Sequence, residues 1–180
     1  MPSSKTLIHL TALDGLINTN SLFTLAVFVG LAWNPYDPSY TLIDPTSHCY
    51  PLPVAASRLV AYHVYSFSSF LFSSLVALAL KQAIKITHSP NYHRPSYLAS
   101  IDFPATVDRS ILRAAMLVSS AGSVCGCGFL MMALFKVVEI KLGTVRCGSG
   151  HSAAAVAAIF GLVPLGMVFY VFMVLYAFTR

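Results

Sequence analysis

Polar and apolar residues along this chain do not alternate; they segregate into blocks. Four blocks are almost continuously apolar or small, at about 16–33, 58–80, 110–135 and 152–179. The first holds the unbroken stretch 22–32 and ends at Asn34-Pro35, because the residue before a proline disfavours the helical region. Trp33 suits the interface there. Lys81, Lys136 and Arg180 close the other three. Each block is near the roughly 20 helical residues needed to cross a hydrocarbon core of about 30 Å. Unpaired backbone groups in lipid each cost several kcal/mol, so a helix is the open-chain solution. Barrel strands would alternate over about ten residues, and these runs do not. The pattern predicts an all-α fold over residues 1–180. It is a single domain, a four-transmembrane-helix bundle with short loops and both termini on the same side.

The flanking segments refine this picture. Val29-Gly30-Leu31-Ala32 offers small residues of the kind at which a signal peptidase cuts. Asp14, Asn18 and Asn20 precede the apolar stretch, unlike a short basic leader region, so a retained helix is expected. Prolines 35, 38, 45, 51 and 53 make the first loop irregular. Asp108 is placed to cap the third helix. Residues 136–141 read as one or two more helical turns, which Gly143 then ends.

Composition places the solvent. Of 180 residues, 57% are hydrophobic and 9% charged, against roughly 45–50% and 25% in ordinary globular domains. Such a chain has too few polar groups to cover a water-facing surface, and the lipid bilayer becomes its first partner. The formal charge of +5 does not signal nucleic acid, because the basic residues sit at block edges with no aromatic-interleaved stripe. Lys5, Lys81, Lys85, Arg94, Arg109, Arg113 and Arg180 fall on one side. Arg58, Lys136, Lys141 and Arg146 fall on the other. Seven against four puts both termini in the cytoplasm by the positive-inside rule.

Candidate chemistry is sparse. Cys49 and Cys147 fall in the first and third loops, on the predicted non-cytoplasmic side, where secretory compartments are oxidising. A disulfide between them is expected. Cys125 and Cys127 sit one residue apart in the third helix, so their side chains point about 200° from each other. A catalytic dithiol needs a different spacing, and small packing residues fit better. Gly122 and Gly126 form a Gly-x-x-x-Gly face, with Gly128, Ser119 and Ser123 nearby. Ser66, Ser69 and Ser73 share a face of the second helix, and Ala154, Ala158 and Gly161 one of the fourth. In lipid, such small residues let helix backbones approach. His63 is the one histidine near a block interior, and no two histidines share a helix face at ligand spacing. The block cores carry no Asp, Glu, Lys, Arg or His, so no intramembrane transport path is marked. Pro164 is positioned to kink the fourth helix.

Several stretches resemble a plant family of small membrane proteins known as maternal effect embryo arrest proteins. They are the run from His9 to Gly15 leading into Asn20-Ser21-Leu22-Phe23, His63-Val64-Tyr65-Ser66-Phe67-Ser68-Ser69, Gly122-Ser123-Val124-Cys125-Gly126-Cys127-Gly128, and the ending Tyr176-Ala177-Phe178-Thr179-Arg180. The resemblance spans all four blocks and implies a plant multi-pass membrane protein. It brings no biochemical activity and no site residues.

Three roles follow. The favoured one is a non-enzymatic membrane scaffold or interaction protein, without catalytic residue, metal or cofactor, in homo- or hetero-oligomeric contact with other membrane proteins. It would reside in the secretory pathway or plasma membrane. An oligomeric channel or transporter subunit, lined by the second-helix serines, is the alternative. A thiol-redox membrane protein is the third.

Overall fold

The computed structural model describes residues 4–32, 53–87, 109–143 and 150–179 of the chain. These form four α-helices: α1 (Ser4–Ala32), α2 (Pro53–Thr87), α3 (Arg109–Leu142) and α4 (Gly150–Thr179). Each contains a stretch long and apolar enough to cross a membrane: Leu10–Ala32, Val54–Lys85, Ile111–Leu142 and Gly150–Met173. No strand occurs among the described residues. The four-helix architecture expected from the hydropathy blocks is the one observed.

The helices overrun those blocks, each time for a local reason. α1 starts twelve residues earlier than the apolar pattern suggests, and within that extension Leu13 buries, and Leu10 packs, against the cluster shared with α2 and α3. α2 opens on Pro53, whose missing N–H and preset φ suit a first helical turn. It then continues past Lys81 to Thr87, because Lys81 pairs with Asp14 and Ile84 still reaches the core. α3 continues through 136–141 as expected and ends at Gly143, whose φ of 88° is left-handed. The Gly143 N–H donates to the Glu139 carbonyl at 3.1 Å, closing the helix. Asp108, Trp33 and the first-loop prolines before Pro53 lie outside the described residues, as do Cys49 and Cys147.

Successive helices run antiparallel. Asp14 meets Lys81 and Asn20 meets Ser73 between α1 and α2. Ser73 meets Ser119 and Ser66 meets Gly126 between α2 and α3. Phe135 of α3 meets Phe160 of α4 edge-on, with ring centres 6.0 Å apart. α1 therefore begins, and α4 ends, at the same end of the bundle.

α2 is the central helix. It lies between α1 and α3, which touch each other little, and α4 attaches to α3. Besides Ala55, its buried positions are Ala56, Leu59, His63, Ser66, Phe70, Ser73, Ala77, Leu80 and Ile84, in alternating steps of three and four. That 3.5-residue repeat is the seam of a left-handed coiled coil. α1 keeps the same rhythm through Leu13, Leu16, Asn20 and Val27, and α3 through Met116, Ser119, Ser123, Gly126, Ala133 and Ile140. Two apolar clusters occupy the ends of the seam. Leu13, Leu16, Ala77, Leu80, Ile84 and Met116 fill one, and Ala55, Ala56, Leu59, Ala133 and Ile140 the other. Between them lie mainly polar side chains, together with the buried Phe70 and Val27.

α4 differs in kind. It runs unbroken through Pro164, although a proline there deprives the Phe160 carbonyl of its N–H partner. Only Ser152 is buried among its described side chains, while Leu162, Leu165, Val168, Phe169 and Phe172 are each 63–70% exposed. Ala154, Ala158 and Gly161 also face outward, and a Cβ added at Gly161 would meet nothing within 4 Å. The small-residue stripe of the fourth helix thus does not pack inside the bundle.

Candidate functional site

The middle of the bundle is a closed polar lattice. The Asn20 amide donates from Nδ2 to Ser73 Oγ at 2.8 Å, and Asn20 Oδ1 accepts from Ser123 Oγ at 2.7 Å. Ser73 Oγ donates to the Ser119 carbonyl at 2.6 Å, and Ser119 Oγ returns a bond to the Ser73 carbonyl at 2.7 Å. All four side chains are buried. One asparagine on α1 thus ties α2 to α3 at bilayer depth, where an unsatisfied amide has no water to turn to. One helical turn or two further along, Ser66 Oγ donates to the Gly126 carbonyl at 2.8 Å.

Close approach makes these bonds short. A Cβ on Gly126 would sit 2.8 Å from the Phe70 ring, and one on Gly122 3.2 Å from the Ser73 Cβ. Phe70 is fully buried and stacks on Phe23 of α1, with centres 5.3 Å apart. Gly128 differs from these two: nothing lies within 4 Å of a Cβ built on it. Ser69 turns its hydroxyl back to the Tyr65 carbonyl at 2.8 Å and makes no bond to another helix, although its own carbonyl lies 3.5 Å from a Gly122 Cβ.

His63 is buried against Gly30, where a Cβ would collide with its ring. Its Nδ1 lies 2.9 Å from the Leu59 carbonyl, so the proton sits on Nδ1. The ring fills the space that glycine vacates and acts as a packing group between α1 and α2. Cys125 and Cys127 are free thiols, one exposed and one half-buried. Among the described residues, no three His, Cys, Asp or Glu side chains gather as a metal site would need.

A second feature opens beside the core cluster that holds Leu13, Leu16 and Met116. α4 lies against α3, whereas α1 touches α3 only lightly and makes few contacts with α4. Between them runs a half-open cleft of about 330 Å³, lined by Leu13, Leu16, Met116 and Met173, the Tyr170 ring and the hydroxyl-bearing Thr19 and Ser120. The Tyr170 hydroxyl is sealed from solvent and has no hydrogen-bond partner among the described residues.

Sequence reasoning placed Ser66, Ser73, Gly122 and Gly126 on helix-packing faces, and the structure sets all four at the α2–α3 contact. It missed Asn20, Asp14 and the cleft. Asn20 carried little signal of its own, because it is one of four polar residues in a row, Asn18-Thr19-Asn20-Ser21. The features define a class: a multi-pass α-helical membrane protein whose core is bonded across three helices at mid-bilayer. Comparison with family models, curated proteins and solved structures finds no match to the chain.

Proposed function

We propose that the protein is a non-enzymatic membrane scaffold or interaction protein, a rigid multi-pass bundle that acts by holding its own shape among other membrane proteins. The observation that carries this reading is the filled core. Phe70 and the Asn20–Ser73–Ser119–Ser123 lattice occupy the space between α1, α2 and α3, and their polar groups bond one another. A conduit needs hydroxyls free to meet a permeating ion or solute. The second-helix serines that would line one are engaged instead, Ser66 and Ser73 with α3, Ser68 and Ser69 with their own helix.

The finer reading follows the charge pattern: cytoplasmic termini, a secretory-pathway or plasma membrane, and a Cys49–Cys147 bridge between outer loops. The seven-to-four distribution of Lys and Arg supports the first two, the placement of Cys49 and Cys147 in the first and third loops the bridge, and the family resemblance a plant source. Two measurements test the main proposal. Purified protein in sealed liposomes should pass no ions above protein-free vesicles, and cross-linking in native membranes should trap a reproducible set of membrane-protein neighbours. Protein-dependent ion flux would establish the channel reading in its place.

A further inference from the structure

The cleft between α1, α3 and α4 carries an unused chemistry. Serine and threonine in a lipid-bathed helix ordinarily donate back to a carbonyl one turn earlier. Ser21, Thr24, Ser68 and Ser69 do so, at 2.7–2.9 Å. Thr19 and Ser120 do not. Neither hydroxyl has a hydrogen-bond partner among the described residues, and both line the same cleft. Ser120 is buried, so its hydroxyl faces no other solvent than the contents of that cleft. Thr19 is exposed and Ser120 buried, and both line the one concavity; an unpaired polar group at this depth is costly, which marks the cleft as a binding site.

Depth and size narrow the occupant. The Asp14–Lys81 ion pair and the exposed Arg113 mark the head-group level at this end of the bundle. Thr19 lies five residues beyond Asp14, about 7–8 Å deeper along α1. The cleft therefore spans the boundary between head groups and hydrocarbon. A further helix, about 10 Å across, does not fit in 330 Å³, whereas one slender chain does. Leu13, Leu16, Met116 and Met173 offer that chain an apolar wall, and the two hydroxyls are donors waiting for an acceptor oxygen.

We propose that the cleft is a fatty-acyl site. The acyl carbonyl accepts hydrogen bonds from Thr19 and Ser120, and the hydrocarbon chain lies along the methionine and leucine wall beside Tyr170. A free fatty acid and an ester-linked chain of a phospholipid present this same chemistry.

The test uses the full chain in lipid nanodiscs and three photoactivatable probes with identical alkyl chains: a fatty acid, a phosphatidylcholine, and an alkane without a carbonyl. Adducts are mapped by peptide mass spectrometry. The fatty acid or the phosphatidylcholine should label residues 12–19 and 116–120 at least about fivefold more than the alkane does, the scale of one net hydrogen bond. Whichever of the two labels more strongly identifies the source. In Ser120→Phe, which fills the cleft, this labelling should vanish while labelling around the outward-facing Leu75 persists. A bulky side chain there can also unfold the bundle, so Thr19→Val with Ser120→Ala provides the shape-conserving arm. That variant should label equally with acyl and alkane probes. Equal labelling of cleft and Leu75 face by all three probes in the native chain overturns the proposal. Undiminished acyl preference in the double variant also overturns it.

Discussion

At the scale of single residues, the side chains that matter most are the ones hydropathy ranks as unremarkable or unfavourable. Asn20 lies in the polar run Asn18-Thr19-Asn20-Ser21, yet it alone of the four is buried, and its amide makes two bonds, one to α2 and one to α3. Replacing it with leucine strips partners from Ser73 and Ser123 in a place water does not reach. Asn20→Leu should lower stability by about 1–3 kcal/mol, read as an earlier unfolding transition in mild detergent; an unshifted transition would mean the lattice does not persist in the folded protein. Glycine gives a sharper contrast. A leucine at Gly126 must displace the Phe70 ring, and overpacking of that kind costs about 1–3 kcal/mol or more. Gly128→Leu meets open space and should leave stability unchanged. If the two variants melt alike, the rotation of α3 about its axis is different from that described.

At the scale of elements, the helix ends show where local signals mislead. Lys81 reads as a stop in the sequence, but α2 carries it six residues from its end because Asp14 of α1 offers a carboxylate. Both groups keep partial access to solvent, with side-chain exposures of 26% and 46%. The pair is therefore expected to contribute only about 0.2–1 kcal/mol. A double-mutant cycle with Asp14→Asn and Lys81→Met should return a coupling of that size, and added salt should shrink it. A larger, salt-insensitive coupling would place the pair in a drier setting than its exposure indicates. The apolar helix ends behave differently: Gly143 was legible as a terminator, because a left-handed residue closing a helix is a property of the residue itself.

At the scale of the whole molecule, α1, α2 and α3 form a bonded core and α4 stands beside it. Nothing in the hydropathy of α4 announces this, since it is the most apolar of the four spans. In water such a helix would be the most buried; in lipid its apolar surface is already well solvated. The antiparallel order brings the start of α1 and the end of α4 to one end of the bundle. Protease-accessible tags at the two termini should accordingly share one fate in sealed vesicles, both digested or both protected. Opposite fates would break the four-span topology.

The sequence by itself determined the solvent, the number of spans and their order. Transfer of a residue between water and hydrocarbon depends mainly on that residue, so the signal adds up along twenty positions and survives without any knowledge of neighbours. It also marked Gly122, Gly126, Ser66 and Ser73 as packing residues, because small side chains are a local precondition for close helices. Only the tertiary structure decided which hydroxyls cross to another helix and which fold back. Ser73 and Ser69 are the same residue type one helical turn apart, yet one bonds α3 and the other its own backbone. Asn20, the Asp14–Lys81 pair and the Thr19–Ser120 cleft likewise depend on register and rotation between helices. Lipid removes the apolar-burial term that fixes these in a soluble protein, so the choice falls to shape and to hydrogen bonds between residues as far apart as Asn20 and Ser123.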